Sequence, residues 1–422
     1  MTKEFYDVIV IGGGPAGMMA AGQAANHGQR VLLLEKMEKP LRKLRITGKG
    51  RCNISNAEPW QDFSEHIFPN SRFFKPAFYS FSNADLVVFL EQIGLPTVVE
   101  RGNRIFPLSQ DAFDVAEALH QWAEAQGVQI MVHAEAVSFQ QQDDLITSVE
   151  VRHRAHRTAY AAKTFIVATG GLSYPATGST GDGYRLAQAT GHSISTLHPS
   201  LTGIHFHRHA SSLNGIALRN VELELRIDGG KKDAEFGEIS FNETGMEGPV
   251  VLRLSRAAIA AFEQGKKVSF ILNLKPAIPY EELQQRFIND TETLAGTTLG
   301  TLLRKYMPAA LIPGFTASAG LSQYRKLSEL SPASLHKLLK QLHCWVMPMS
   351  GYQGYERAVI TAGGVSFNDI DSKTLRSRHI RNLYFAGELL DLDADTGGYN
   401  LQIAFSTGAL AGKGASENQT EN

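Results

Sequence analysis

The sequence predicts an α/β chain: a Rossmann-like nucleotide-binding domain, split in two, with a β-rich unit and a helical cap inserted between its halves. Three observations predict it. An apolar strand near the N-terminus runs into a glycine-rich loop, an alanine-rich helix and a second strand ending in an acid. Glycine-rich turns return after two later strands, near residues 170 and 398. Between about 196 and 350 that pattern gives way to alternating strands and then to leucines at helical spacing. The expected boundaries are 1–195 and 351–422 for the split domain, 196–277 for the β-rich unit and 278–350 for the helical stretch.

Residues 6–11, YDVIVI, form a short apolar run rich in β-branched side chains, as a buried parallel strand requires. Gly12, Gly14 and Gly17 follow in G-x-G-x-x-G spacing, with Pro15 and Ala16 at the start of a helix. Gly12 permits a tight turn, Gly14 lets a pyrophosphate approach the backbone, and Gly17 lets helix and strand touch. The helix N-terminus offers free N–H groups to phosphate. The next strand, over 30–34, ends at Glu35, where a carboxylate meets adenosine ribose hydroxyls and repels a 2′-phosphate. A lone glycine motif is weak; here strand, helix, second strand and acid stand in order.

Composition narrows the classes. Forty-one basic residues balance 42 acidic ones, a formal net charge of −1, so no excess of positive charge points to nucleic acid or anionic membranes. At 422 residues, two or three domains are expected. Two cysteines, Cys52 and Cys344, form neither a disulfide framework nor a zinc pattern and fit a reducing compartment. No apolar run reaches the ~20 residues that span a bilayer, so a cytoplasmic location is expected.

The choice between NAD and FAD rests on the distant segments. A strand over 164–167 leads to Thr169, Gly170 and Gly171; a strand over 382–385 leads to Gly387 and Glu388; Gly398 precedes Asn400, Leu401 and an alanine-rich helix. These candidate contacts are scattered over nearly the whole chain. A compact NAD domain closes near residue 150, whereas a longer FAD uses them all. The closing helix would aim its N-terminus at the flavin pyrimidine, where negative charge collects on reduction. No second G-x-G-x-x-G is present, which leaves NAD(P)H as a transient reductant.

The chain resembles the YhiN/BaiN-type flavoproteins, aminoacetone oxidase-like members included. The resemblance rests on GGGPAGMMAA (12–21), TGKGRCNISN (47–56), ATGGLSYPATGSTGDGY (168–184), ETGMEGPVVLRLS (243–255), VITAGGVS (359–366) and LYFAGELLDLDADTGGYNLQIAFSTG (383–408). It implies a split FAD domain with an insert, and flavin redox on small molecules: reduction of carbon–carbon double bonds in steroid-like acids, or oxidation of small amines. Two departures stand out. Lys49 replaces a glycine of the loop, and Glu243 stands where the family's pattern has a histidine.

The loop ITGKGRCNISN follows the ribose-binding strand and should wrap back over the cofactor. Thr47, Gly48, Gly50, Arg51, Cys52 and Asn53 are its candidate contacts, with Lys36, Lys43 and Val137 from neighbouring segments. Lys43, Lys49 and Arg51 are placed to balance phosphate charge, and Asn53 to bond the isoalloxazine edge. Cys52 reads as a packed thiol, since no resolving cysteine lies nearby; a substrate contact or a redox role are the alternatives.

In the middle, 221–227 alternates strictly and Gly229-Gly230 turns the chain. Strands are expected over 238–241 and 268–272. Leu299, Leu302, Leu303 and Tyr306, then Leu335, Leu338, Leu339 and Leu342, recur at helical spacing, with Ser331-Pro332 as cap and first turn. This stretch is either a substrate cap or a packing unit. His205, His207 and His209 read as a solvated strand face rather than a metal site. Arg101, Arg104 and Phe106 suit an anionic substrate or a solvated turn; Tyr174 is expected near the flavin and Asp182 at a turn before a helix. No acid or base for turnover is evident, and no metal is expected. The expected function is FAD-dependent hydride transfer to or from a small organic substrate. The alternatives are a tRNA-modifying flavoprotein and a redox sensor without substrate.

Overall fold

The structure is a computed structural model and describes residues 5–154, 156–207 and 210–417. It separates into two compact units, one of residues 1–198 and 359–422, the other of 199–358. Each has its own hydrophobic core.

The first unit is built on a seven-stranded sheet. Phe5–Ile11 lies inside it, parallel to Val31–Leu34 on one side and to the end of His156–Val167 on the other. Gln129–Met131 and Leu383–Phe385 continue the parallel part. The strands over residues 134–142 and 145–153 extend it as an antiparallel meander. Val8, Ile9 and Val10 are fully buried, which explains a run with no polar alternation.

Two alanine-rich helices, Pro15–Asn26 and Tyr399–Glu417, owe their composition to each other. A side chain at Gly408 would fall 2.3 Å from the Ala16 carbonyl oxygen, and one at Gly412 2.4 Å from that of Ala20. Only small residues allow backbones this close. The closing helix is thereby locked to the helix that follows the glycine loop.

The second unit contains a closed six-stranded antiparallel barrel. Ala217–Ile227 buries Val221, Leu223 and Leu225, as strict alternation requires. The turn that follows centres on Asp228 and Gly229, both at positive φ, one residue earlier than the glycine pair suggests; Ile227 pairs with Gly230 across it. Ser331 caps Pro332–His343 by accepting a hydrogen bond from the Ser334 N–H. The helical stretch ends before Trp345–Tyr352, whose alternating buried Trp345, Met347 and Met349 close the barrel. Helices and barrel share a single core, including Leu225, Phe270, Leu302 and Leu338.

His205 lies on Ile204–Phe206 and His207 follows it; Arg208 and His209 lie outside the described residues. Among the described residues no three metal-ligating side chains cluster. No helix among them is long and apolar enough to cross a membrane.

Candidate functional site

The three glycines of the first loop behave in three different ways. Gly12 has φ +104°, and a side chain there would fall 2.5 Å from the Ala168 oxygen. At Gly17 it would fall 1.8 Å from the Gly12 oxygen. At Gly14 it would meet nothing within 4 Å, so the backbone there faces open space. Gly14 caps Pro15–Asn26 with no side-chain hydrogen bond. The first-turn N–H groups of Ala16 and Gly17 are left for an anion.

Glu35 is pinned by two backbone donors: Gly13 N–H to Oε2 at 2.9 Å and Met37 N–H to Oε1 at 2.7 Å. Burial pushes its carboxyl above the ordinary carboxylate range, against the pull of those bonds. It therefore stands at the loop with lone pairs to spare for hydroxyl donors. Ala134 N–H bonds the Glu35 carbonyl, which carries the strand bearing half-buried Val137 past this end. Lys36 bonds Thr180 at 2.5 Å and pairs with Asp182, the first residue of Asp182–Ala189, as a turn-fixing acid should. A polar cavity of about 350 Å3 opens beside it, lined by Lys36, His133, Glu135, Arg152 and Arg154.

The ITGKGRCNISN loop is held in left-handed backbone at Gly48, Lys49, Gly50 and Cys52. Cys52 is fully buried, and burial pushes its thiol up to about 12. That thiol is neutral at physiological pH and is a poor nucleophile. Thr47 bonds the Leu44 carbonyl and its own carbonyl accepts the Cys52 N–H.

Two of the three expected phosphate counter-charges have protein partners. Lys43 pairs with Glu388 at 2.7 Å and bonds Ser173 at 2.5 Å. Arg51 pairs with Glu100 at 2.5 Å, bonds Gln110 and lies 4.2 Å over the buried Phe106 ring. Lys49 is exposed. Lys43 and Arg51 are therefore already paired with carboxylates, and the free helix-terminal N–H groups of Ala16 and Gly17 are a further anion-binding feature.

Glu388 anchors a polar knot. Besides Lys43 it accepts from Ser173 Oγ at 2.7 Å and from Thr361 N–H at 2.9 Å. Thr361 Oγ1 accepts the Leu172 N–H, and a side chain at Gly171 would strike that oxygen at 2.5 Å. At Gly387, φ is +76° and a side chain would lie 2.7 Å from Ala16 Cβ. Glu388 thus ties the Gly171 and Gly387 turns to Thr361, with Oε1 bonded twice and Oε2 once.

At the closing helix, a side chain on Gly398 would fall 2.2 Å from the Ser55 oxygen. Asn400 spends its amide on Ala394 and Asp395, so what it offers a ligand is its backbone. Leu401 is half-buried against the core. Tyr174 sits at positive φ and precedes the turn Pro175–Thr177.

Two nominated residues test whether a cofactor fits. Asn53 Oδ1 and Thr169 Oγ1 are buried with no hydrogen-bond partner among the described residues. An unmet buried polar atom costs about 1–3 kcal/mol; Thr169 directly follows Ala168, which packs on Gly12, and Asn53 packs on the Gly48 turn. The residues present fit a dinucleotide: Gly14, Ala16 and Gly17 would hold the pyrophosphate and Glu35 the ribose, and the unmet Asn53 and Thr169 oxygens would be left for its remaining polar groups.

Sequence reasoning missed Ser173 and Thr361, which carry no chemical signal alone. It also missed Glu58, His66 and Asp395, which meet Tyr399 (described below). Asp395 sits in the distinctive DTGGYN stretch, the one signal that could have raised it.

Comparison with known proteins agrees with this geometry. Residues 6–414 match the family described as HI0933-like protein Rossmann domain. The chain is 29% identical over 412 residues to the 3-dehydro-bile acid delta(4,6)-reductase of Clostridium scindens, covering 97% of this chain and 98% of that one. It is 27% identical over 407 residues to the ribosomal RNA dihydrouridine synthase of Haemophilus influenzae, covering 96% and 97%. Among solved structures, 3-ketosteroid delta1-dehydrogenase from Sterolibacterium denitrificans aligns over 98% of this chain and 99% of that one, with TM-score 0.56 and 14% identity, a likeness of fold. The chain belongs to the HI0933-like Rossmann family and is an FAD-dependent oxidoreductase.

Proposed function

We propose that this protein reduces a carbon–carbon double bond conjugated to a carbonyl in a small organic molecule, with NAD(P)H as the transient electron donor. The observation that carries the reading is the end-to-end similarity to a bile-acid delta(4,6)-reductase, in a chain whose dinucleotide cradle is intact. When bound, FAD supplies hydride chemistry. The chain's own residues would hold the pyrophosphate at the first helix and the ribose through Glu35, while the buried, neutral Cys52 thiol would stay out of the redox path. Asn53 Oδ1 and Thr169 Oγ1, buried and without hydrogen-bond partners among the described residues, would be available to the cofactor.

A second reading has its own support. Relatives of the same length are named ribosomal RNA dihydrouridine synthase. Dihydrouridine is uridine saturated at a double bond beside a carbonyl, so the bond chemistry is the same and only the substrate's carrier differs. The balance of 41 bases against 42 acids favours the small substrate, because a polyphosphate carrier demands excess positive charge.

Anaerobic titration of the purified yellow protein with NADH and NADPH, followed by a 4-ene-3-ketosteroid, tests both. Flavin bleaching by one nucleotide and recolouring by the enone is expected. Recolouring by ribosomal RNA alone would favour the second reading, and absence of flavin from the heat-released supernatant would overturn both.

A further inference from the structure

A cluster of ionisable groups stands at the start of the closing helix. His66 ends the turn Ser64–His66, and its Nδ1 lies 2.8 Å from Asp395 Oδ2. Its Nε2 lies 3.7 Å from Glu58 Oε2, the same oxygen that accepts the Tyr399 hydroxyl at 2.7 Å. The imidazole stacks on the Tyr399 ring, with centroids 4.4 Å apart and planes 22° from parallel. Tyr399 is the first residue of the helix, and Phe63 closes its far side edge-on at 4.8 Å.

The cluster is built rather than accidental. Asp393–Ala394 pairs antiparallel with Ile67–Phe68, and Asp395 N–H bonds the His66 carbonyl. Asn400 then clamps the Ala394 N–H and the carbonyls of Ala394 and Asp395. The carboxylate is held against the ring from both sides of the chain. Exposure is graded: the Asp395 and Glu58 side chains are 17% and 20% exposed, that of His66 35%. The imidazole is the member open to solvent. One hydrogen bond would suffice to join two loops. Here two carboxylates converge on one imidazole, and one of them also takes a phenol.

We propose that His66, oriented by Asp395 and Glu58, is the proton-relay residue of the flavin end of this site. The inference rests on the FAD reading above. Saturating a carbon–carbon double bond consumes one hydride and one proton. The hydride originates in NAD(P)H. The hydride ends on one carbon of the double bond, and the proton passes from the His66 imidazolium through water to the other; the imidazole, neutral and still bonded to Asp395, takes a proton back from bulk water at its open edge. Acting through solvent at that edge, His66 positions the proton rather than touching the reacting atoms. The groups facing it are Asp395, Glu58, Glu65 and Tyr399, with Asp62 near the phenol. The Asp395 carboxylate leads in holding the imidazole above its ordinary 6.5, so the charged form persists towards neutral pH.

The test is nitrogen-15 NMR titration of histidine-labelled, FAD-loaded protein, oxidised and photoreduced, with the flavin midpoint potential followed against pH. His66 should titrate above 6.5, and Asp395→Asn should lower its proton affinity at least tenfold. Reduction should raise that affinity and, by linkage, bend the plot of potential against pH; His66→Gln should remove the bend with flavin still bound. A His66 titration at or below 6.5, one identical in both redox states, or a bend that survives in His66→Gln overturns the relay. Should His66→Gln fail to fold, the wild-type titrations decide. Protein isolated without flavin fails the FAD reading instead, which absorbance shows before any titration.

Discussion

Glu35 shows how much one side chain can do at a loop. Its carboxylate orders the Gly13 and Met37 N–H groups, one on each oxygen, and keeps a lone pair on each for the proposed ribose contact. Glu35→Ala removes the ribose contact and frees two backbone donors. FAD affinity should fall by about 1–3 kcal/mol, roughly 5- to 150-fold, in a protein that still folds. Glu35→Gln, which keeps one acceptor, should lie between. Fluorescence titration of apoprotein with FAD measures both, and an unchanged dissociation constant refutes the ribose role. Cys52 makes the opposite case. A thiol pushed to about 12 and wholly buried should not react with an aromatic disulfide reagent at pH 8 in native protein. Half-buried Cys344 should account for all the thiol that does react. Cys52→Ser should keep a reducible flavin; a mutant with full flavin that reductant cannot bleach would make the thiol catalytic.

Between elements, the junction after Asp182–Ala189 rests on a neutral histidine. His192 lies 2.7 Å from Ser377 Oγ and 3.0 Å from Thr190 Oγ1, edge-on to Phe385. Burial pulls its pKa down to about 4, and nearby His379 adds to that while Asp369 opposes it. The sign follows from proton binding. Between pH 6.5 and about 4 the unfolded chain protonates this ring and the folded chain does not, so stability falls as pH falls through that window. The loss amounts to about 3 kcal/mol at most. His192→Gln, which cannot titrate, should lose less stability than wild type between pH 7.5 and 4.5 in urea unfolding. Equal losses would place the acid sensitivity elsewhere. Most elements were legible because their reason is local: the YDVIVI strand, the Ser331-Pro332 cap, the alternation at 221–227. Trp345–Tyr352 alternates just as plainly, yet it follows helices in sequence and joins the barrel only through partners at Ile204–Phe206 and Val268–Asn273.

Across the whole molecule, the chain leaves the first unit after His198 and returns to it at Val359. Ser195 N–H bonds the Gly364 carbonyl, and Ser366 N–H bonds that of Ser193, so the departing and returning chains run side by side. The first unit's core draws no residue from the second. Replacing residues 199–358 by a short glycine–serine linker should therefore leave a folded protein that binds FAD. Yellow colour and a cooperative melt are the expected readouts; a colourless, soluble product would mean that the insert completes the cofactor site. Removing 278–345 alone is a harsher change, because those helices share the barrel's core.

By itself the sequence determined the dinucleotide loop, the acid after the second strand, the return of glycine turns near the C-terminus and the change of period in the middle. Each is a short-range demand: a φ that only glycine meets, a face that must alternate, a helix that must begin. What the tertiary structure alone decided is which charges are spent. Lys43 and Arg51 looked available for phosphate, yet Glu388 and Glu100, far away in sequence, neutralise them. Glu58, His66, Asp395 and Tyr399 carry no shared motif, and they became one cluster only when the closing helix docked. Charge pairing depends on distances of a few ångströms between residues 49 to 345 positions apart, and no local pattern encodes those distances.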